Sequence, residues 1–190
     1  SQAGADVVVR INQPLRMAIP DLEESISPRV KAIAVTKVDG PGHIRLLSEA
    51  IDELESERGM DVGHTKLIAM VETAAGFLRI ENIAKAHPRV VAMSLGSEDF
   101  ATSIGTDPVA EVLTYPKQQG IIAARAAGII PLGLIGTVAD YQDIDAMRET
   151  IRRSRRFGFQ GASCVHPKIV GLLNEEFRPT PQAVSYTHLR

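Results

Sequence analysis

Two carboxylates stand out by where they fall. Glu72 closes an apolar run at 67–71, and Asp99 follows a second run at 90–95 through Gly96-Ser97-Glu98. The segment between them is amphipathic. If both runs are strands of one parallel sheet joined through a helix, the right-handed crossover points their C-terminal ends the same way. Glu72 and Asp99 then sit side by side on one rim. Facing carboxylates repel unless a proton or a divalent cation lies between them. We take Mg²⁺ as the working hypothesis for that pair.

Other chemistry-bearing residues fall at comparable points. Arg10 and Asn12 end a β-branched run at 7–12, Lys37 follows a run at 32–35, and His166 follows one at 161–165. Arginine's planar fork clamps a carboxylate. Buried unpaired on an apolar strand, Arg10 would be costly, so it needs an acid or a ligand. A metal held by two carboxylates and waters keeps positions open for a substrate carboxylate or enolate. This set suits chemistry that makes or breaks a bond next to a carbonyl, where positive charge stabilises the enolate.

Each residue also has a plainer role open to it. Either acid alone could cap a helix, and Lys37 could simply reach solvent. His166 reads as a structural rim residue and Cys164 as a small core side chain. The arginines of 148–156 lie opposite Ile144, Met147 and Ile151, as on a solvated helix face, with binding of a CoA phosphate as the minor alternative. His43, His64, His87 and His188 lack metal-site spacing.

The elements that must position these residues alternate. Strands are expected at 7–12, 32–35, 67–71, 90–95, 129–134 and 161–165. Helices are expected at 43–57, 77–86, 117–127, 144–157 and 167–177, with one or two helical turns in 21–27. Residues 101–116, with Gly105 and Pro108, read as a rim loop. On 43–57 the apolar positions Ile44, Leu47, Ile51 and Leu54 recur at spacings of three and four. Strict alternation argues for a parallel sheet, doubly wound or closed as a barrel. No glycine fingerprint follows the first strand and no Gly-Lys-Ser/Thr occurs, which disfavours a dinucleotide or P-loop fold. Six units are two short of a (β/α)8 barrel of about 250 residues. We read an α/β chain carrying the last six βα units of a TIM-type barrel. The barrel domain spans 1–180, and 181–190 is a tail foreign to it.

Composition narrows the setting. The chain has 190 residues, 44% apolar and 23% charged, with a formal net charge of −2, so it has no general attraction for nucleic acid or an anionic membrane. Aromatics are 4% and tryptophan is absent, which disfavours a base-stacking platform. A single cysteine forms no internal disulfide. No apolar run approaches the roughly 20 residues that span a bilayer, and the N-terminus lacks a signal pattern. The expectation is a cytoplasmic protein with a small-molecule substrate.

The ordered set of stretches VRIN (9–12), IAMVETAAG (68–76), LGSEDF (95–100) and GFQGASCVHP (158–167) resembles the HpcH/HpaI aldolase and citrate lyase superfamily. The resemblance is strongest to its CitE-like CoA-ester lyase branch. YPKQQGIIAARAAGI (115–129) and GTVADY (136–141) add to it. It implies a (β/α)8 barrel that assembles into homo-oligomers, binds Mg²⁺, and cleaves or condenses C–C bonds of acyl-CoA or 2-oxo-acid substrates. It also implies Glu72 and Asp99 as metal ligands, with Arg10 holding a substrate carboxylate or carbonyl oxygen and the substrate chelating the metal beside Glu72. The implied activity is a carbon–carbon lyase acting on a β-hydroxyacyl-CoA such as malyl-CoA or citryl-CoA. The alternatives are a class II aldolase acting on free 2-oxo acids and a non-catalytic acyl-CoA- or metal-binding partner subunit. The family's first strands, and the C-terminal segment that in some members serves a neighbouring subunit, have no counterpart here.

Overall fold

The structure, a computed structural model, describes residues 4–136 and 142–179. The expected foreign tail at 181–190 and most of the GTVADY stretch lie outside those residues. Five strands, β1 (Val7–Ile11), β2 (Val30–Val35), β3 (Lys66–Val71), β4 (Val90–Leu95) and β5 (Ile130–Leu132), form one sheet. They are all parallel and stand in chain order. A doubly wound sheet reverses its strand order at a switch point. Sequential order without reversal is how a (β/α) barrel progresses, and this sheet is part of one.

Register explains which residues reach the rim. Ile11, Val35, Ala69 and Met93 pair in a row across the sheet, and all four are buried on the helix-covered face. The adjacent row, Arg10, Ala34, Ile68, Ala92 and Ile130, belongs to the opposite, concave face. The alternation is clearest in β3, where Leu67, Ala69 and Val71 are buried and the residues between them are only partly so.

Helices cover the outer face: α1 (Leu15–Ser25), α2 (Pro41–Glu57), α3 (Ala74–Phe77), α4 (Ile80–Ala84), α5 (Ser97–Ile104), α6 (Ala110–Ala126), α7 (Ile144–Phe157) and α8 (Val170–Glu176). In α2, Pro41 occupies the first turn, where its missing N–H costs nothing. Ile44, Leu47 and Ile51 are fully buried as their spacing predicts. Each contributes about 1.5–3 kcal/mol of burial. In α7, Met147 and Ile151 face inward, and Asp143 Oδ1 caps the N-terminus by accepting from the Asp145 and Ala146 amides.

Four expectations are corrected. The sixth strand at 161–165 is reduced to one parallel bridge between Leu132 and Gly161, because β5 has only three residues to pair with. The rim loop at 101–116 is mostly helical: α5 runs to Ile104, Gly105 terminates it in the left-handed conformation, and α6 begins at Ala110. Pro116 sits buried inside α6, and Pro20 lies within α1, which replaces the one or two turns expected at 21–27. The helix expected at 77–86 is reduced to α4, and the short α3 before it ends at Phe77.

Candidate active site

The concave face and the carboxyl ends of the strands enclose a cleft of about 650 Å³. Arg10, Glu72, Asp99, Ser97 and Lys117 all line it. Each reaches the cleft through a different local device.

Glu72 is the first residue after β3. The next residue, Thr73, turns the chain into α3, its hydroxyl accepting from the Gly76 amide at 3.0 Å. That switch leaves Glu72 on the rim and 7% exposed. Its Oε2 accepts the Lys37 backbone N–H at 2.7 Å. Lys37 can aim that amide because its φ is +49°, a left-handed conformation that costs a non-glycine residue about 1–2 kcal/mol. Burial pushes the Glu72 carboxyl above its usual range. The Lys37 hydrogen bond and the positive charges of Lys37 and Arg10 only partly offset this, and the Asp99 charge adds to it.

Asp99 lies in the first turn of α5, half-exposed, with Lys37 Nζ 3.3 Å from its Oδ2. The turn ahead of it passes close to Glu72. A Cβ built on Gly96 would stand 2.8 Å from both Cγ and Oε1 of Glu72, so only glycine leaves room for the carboxylate. Gly96 N also donates to the Val71 carbonyl at 3.0 Å, pinning the two strand ends together.

Arg10 faces the cleft from β1, but it is exposed, which corrects the premise that it is buried on an inner strand. β1 is the edge strand of this sheet, so only β2 flanks it. Asn12 does not join the group. Its backbone and side-chain N–H groups both donate to Asp21 Oδ2 at 2.8 Å, tying β1 to α1. His166 Nδ1 accepts the Lys168 amide at 3.2 Å and so caps the short 3₁₀ turn Pro167–Ile169. Cys164 is exposed rather than a core side chain, because strand 161–165 did not form. It lies along the cleft and donates to the His166 carbonyl at 2.9 Å.

The arginines of α7 have partners on α8. Arg148 and Arg152 both pair with Glu176, and Arg155 donates to its carbonyl, so this face packs α7 on α8.

Sequence reasoning missed Lys117. It is 3% exposed, on α6, and its ammonium donates to Ser97 Oγ at 2.7 Å, to the Gly136 carbonyl at 2.7 Å and to the Leu134 carbonyl. Burial pulls it down to about 8, with the Glu98 charge acting the other way. The one sequence signal was a lysine on the stretch of α6 that is otherwise rich in alanine and isoleucine.

Among the described residues no group of three His, Cys, Asp or Glu side chains gathers to hold a metal. Glu72 and Asp99 are a two-carboxylate set of hard oxygen donors beside a roomy cleft. That fits Mg²⁺, which takes one or two carboxylates and fills its remaining positions with water and substrate. It fits zinc less well, since zinc sites are built around histidine or cysteine ligands, which this pair lacks.

Parallel strands in chain order define part of a (β/α) barrel, and Glu72 and Asp99 lie at the carboxyl rim, where barrels of this kind carry their sites. Within that class, this chain belongs to the HpcH/HpaI aldolase/citrate lyase family, whose pattern matches residues 1–167. It is 32% identical over 189 residues to L-malyl-CoA/beta-methylmalyl-CoA lyase of Cereibacter sphaeroides, covering 88% of this chain and 58% of that protein. It is 29% identical over 187 residues to citrate lyase subunit beta of Leuconostoc mesenteroides subsp. cremoris, covering 95% and 60%. The structure of CitE from Mycobacterium tuberculosis in complex with magnesium, acetoacetate and coenzyme A matches with a TM-score of 0.72 at 25% identity, covering 96% of this chain and 64% of that one. The chain thus spans less than two thirds of the length of these relatives. Among the described residues no helix is long and apolar enough to cross a membrane.

Proposed function

We propose that this chain carries the metal-binding part of a carbon–carbon lyase that cleaves or condenses a β-hydroxyacyl-CoA through an enolate. The observation that carries this reading is the buried carboxylate of Glu72 beside Asp99 in a cleft that also receives Arg10. Burial disfavours the ionised form of Glu72, so a bound cation has a free-energy reason to be there. Glu72 and Asp99 hold Mg²⁺. When bound, the ion supplies a Lewis acid for the developing enolate oxygen. Arg10 binds a substrate carboxylate through its fork. Lys37 fixes Glu72 through its backbone amide, and its ammonium pairs with Asp99 until a cation takes that place. The malyl-CoA lyase relative, and the CitE structure in complex with coenzyme A, support a CoA thioester as the substrate class. The exposed outer edge of β1, with Val7 and Val8 about half open, supports assembly with further barrel strands or a second copy.

The test is an assay of the full-length protein against hydroxyacyl-CoA thioesters and free 2-oxo acids, with and without Mg²⁺. Thioester cleavage that stops in EDTA and in Glu72→Gln and Asp99→Asn is the expected result. Cleavage that survives these changes overturns the metal reading. Turnover of free acids alone moves the substrate to the 2-oxo-acid aldolase class.

A further inference from the structure

The lyase reading leaves unused a buried ammonium and a hydroxyl on the same rim. Lys117 Nζ donates to Ser97 Oγ, to the Gly136 carbonyl and to the Leu134 carbonyl, and so ties the start of α5 to the segment after β5. An ammonium has three protons and no lone pair. In its bond to Ser97 the hydroxyl oxygen must therefore accept, and the hydroxyl's own proton is left for a different acceptor. The three consecutive carbonyls of Leu134, Ile135 and Gly136 hold the ammonium from the β5 side, so the direction from which Oγ is approached is fixed as well. Ser97 lines the cleft, follows the glycine that abuts Glu72, and stands two residues before Asp99. Donation from a cation also polarises the O–H bond, which makes it a stronger donor than an isolated serine. A buried lysine is an expensive way to link two loops when an apolar side chain could fill the same space.

We propose that the Ser97 hydroxyl donates a hydrogen bond to an oxygen of an oxo acid bound beside Glu72 and Asp99, and that Lys117 is the positioning residue that aims it. This rests on the reading that the cleft holds a cation and an oxo acid. The readout is binding, measured in two stages by water-proton relaxation: Mn²⁺ alone, then pyruvate added to the Mn²⁺-loaded chain.

Ser97→Ala is expected to leave Mn²⁺ affinity within about twofold and to weaken pyruvate about 10- to 100-fold, the loss of one hydrogen bond to a charged group. Ser97→Thr, which keeps the hydroxyl, retains pyruvate binding. Lys117→Met weakens pyruvate in the same direction as Ser97→Ala, and combining the two adds little. Lys117→Arg restores most of it. If Lys117→Met does not fold, Ser97→Ala and Ser97→Thr still decide the matter. Pyruvate binding by Ser97→Ala equal to wild type overturns the inference while the lyase reading stands. Equal weakening of Mn²⁺ and pyruvate also overturns it, since Ser97 would then only support the rim. A wild-type chain that binds no Mn²⁺ overturns the lyase reading and this inference with it.

Discussion

The backbone amide of Lys37 donates to the buried carboxylate of Glu72 at 2.7 Å, from a residue held at φ +49°. A lysine in the left-handed region has no local reason to be there. The hydrogen bond is a tertiary reason, and it fixes the acid that most needs fixing. The same residue's ammonium lies 3.3 Å from Asp99, so one position governs both acids by two different groups.

That division of labour can be separated by Lys37→Gly. Glycine adopts φ +49° without strain and keeps the amide donor, but it removes the ammonium that competes with a cation for Asp99. The expected result is unchanged or slightly raised stability. Mn²⁺ should bind about two- to fivefold more tightly in the absence of substrate, in keeping with a half-exposed ion pair worth up to about 1 kcal/mol. Mn²⁺ titration followed by electron paramagnetic resonance checks it. Weaker Mn²⁺ binding would show that the ammonium helps organise the acids.

Glu72→Gln separates stability from binding. Burial holds the Glu72 carboxyl above its usual range, so ionising it costs more in the folded chain than in the unfolded one. An uncharged isostere keeps an oxygen for the Lys37 amide and removes that cost. In EDTA the variant should unfold at a higher temperature than wild type, by about 2–4 °C for each kcal/mol recovered. It should also lose the stabilisation that Mg²⁺ gives wild type. A thermal melt with and without the cation measures both. A variant less stable than wild type in EDTA would mean that the carboxylate is already compensated.

Gly96→Ala tests the close approach directly. The backbone at Gly96, with φ −73°, accepts any residue, so the effect is purely steric. The new methyl would meet Cγ and Oε1 of Glu72 at 2.8 Å, and the carboxylate must move away from the position its Lys37 bond defines. Overpacking of this kind costs about 1–3 kcal/mol of stability. Displacing a ligand through its support costs about 10–100-fold in metal affinity. Isothermal titration with Mg²⁺ gives the second figure, and unchanged affinity would place the metal away from Oε1.

How much of this was legible beforehand depends on how local the signal is. The alternation of strands and helices and the α2 stripe of Ile44, Leu47 and Ile51 follow from periodicity, which any window of the chain carries. Glu72 and Asp99 were visible because each follows an apolar run at a turn. Gly105 and Pro108 marked a real break, but it spans only the turn between α5 and α6, and tertiary packing holds Pro20 and Pro116 inside helices. Lys37's amide was hidden because the bond depends on a backbone angle. Lys117 was hidden because its four acceptors come from segments 17 to 20 residues away.

The largest feature that sequence reading passed over lies away from the rim, where the chain enters β3 and β4. There Arg89, 2% exposed, spreads its whole guanidinium over Glu55, Asp52 and the Thr65 carbonyl. Glu55 also accepts the Gly63 and Thr65 amides at 2.7 and 2.6 Å. Its position was marked: it continues the Ile44, Ser48, Ile51 face of α2, where an acid is out of place. Burial alone would push Glu55 up, but the hydrogen bonds from Arg89, Thr65 and Gly63 outweigh it and hold it at about 2, against an ordinary 4.5. A carboxyl depressed on folding stabilises the fold above its unfolded value and loses that contribution as pH falls through the folded one. The Glu55 contribution is therefore whole above about pH 4.5 and fades towards pH 2. Arg89→Met leaves Glu55 buried without its countercharge and should cost about 3–5 kcal/mol at pH 7. The gap from wild type should narrow as pH falls from 4.5 towards 2, because the stranded acid can then take a proton. The double variant Glu55→Gln with Arg89→Met should recover part of the loss at pH 7, since no buried charge remains unpaired. Urea unfolding at several pH values measures all three. A gap that stays constant with pH would mean that Arg89 stabilises through packing and its bond to the Thr65 carbonyl, and not through the acid.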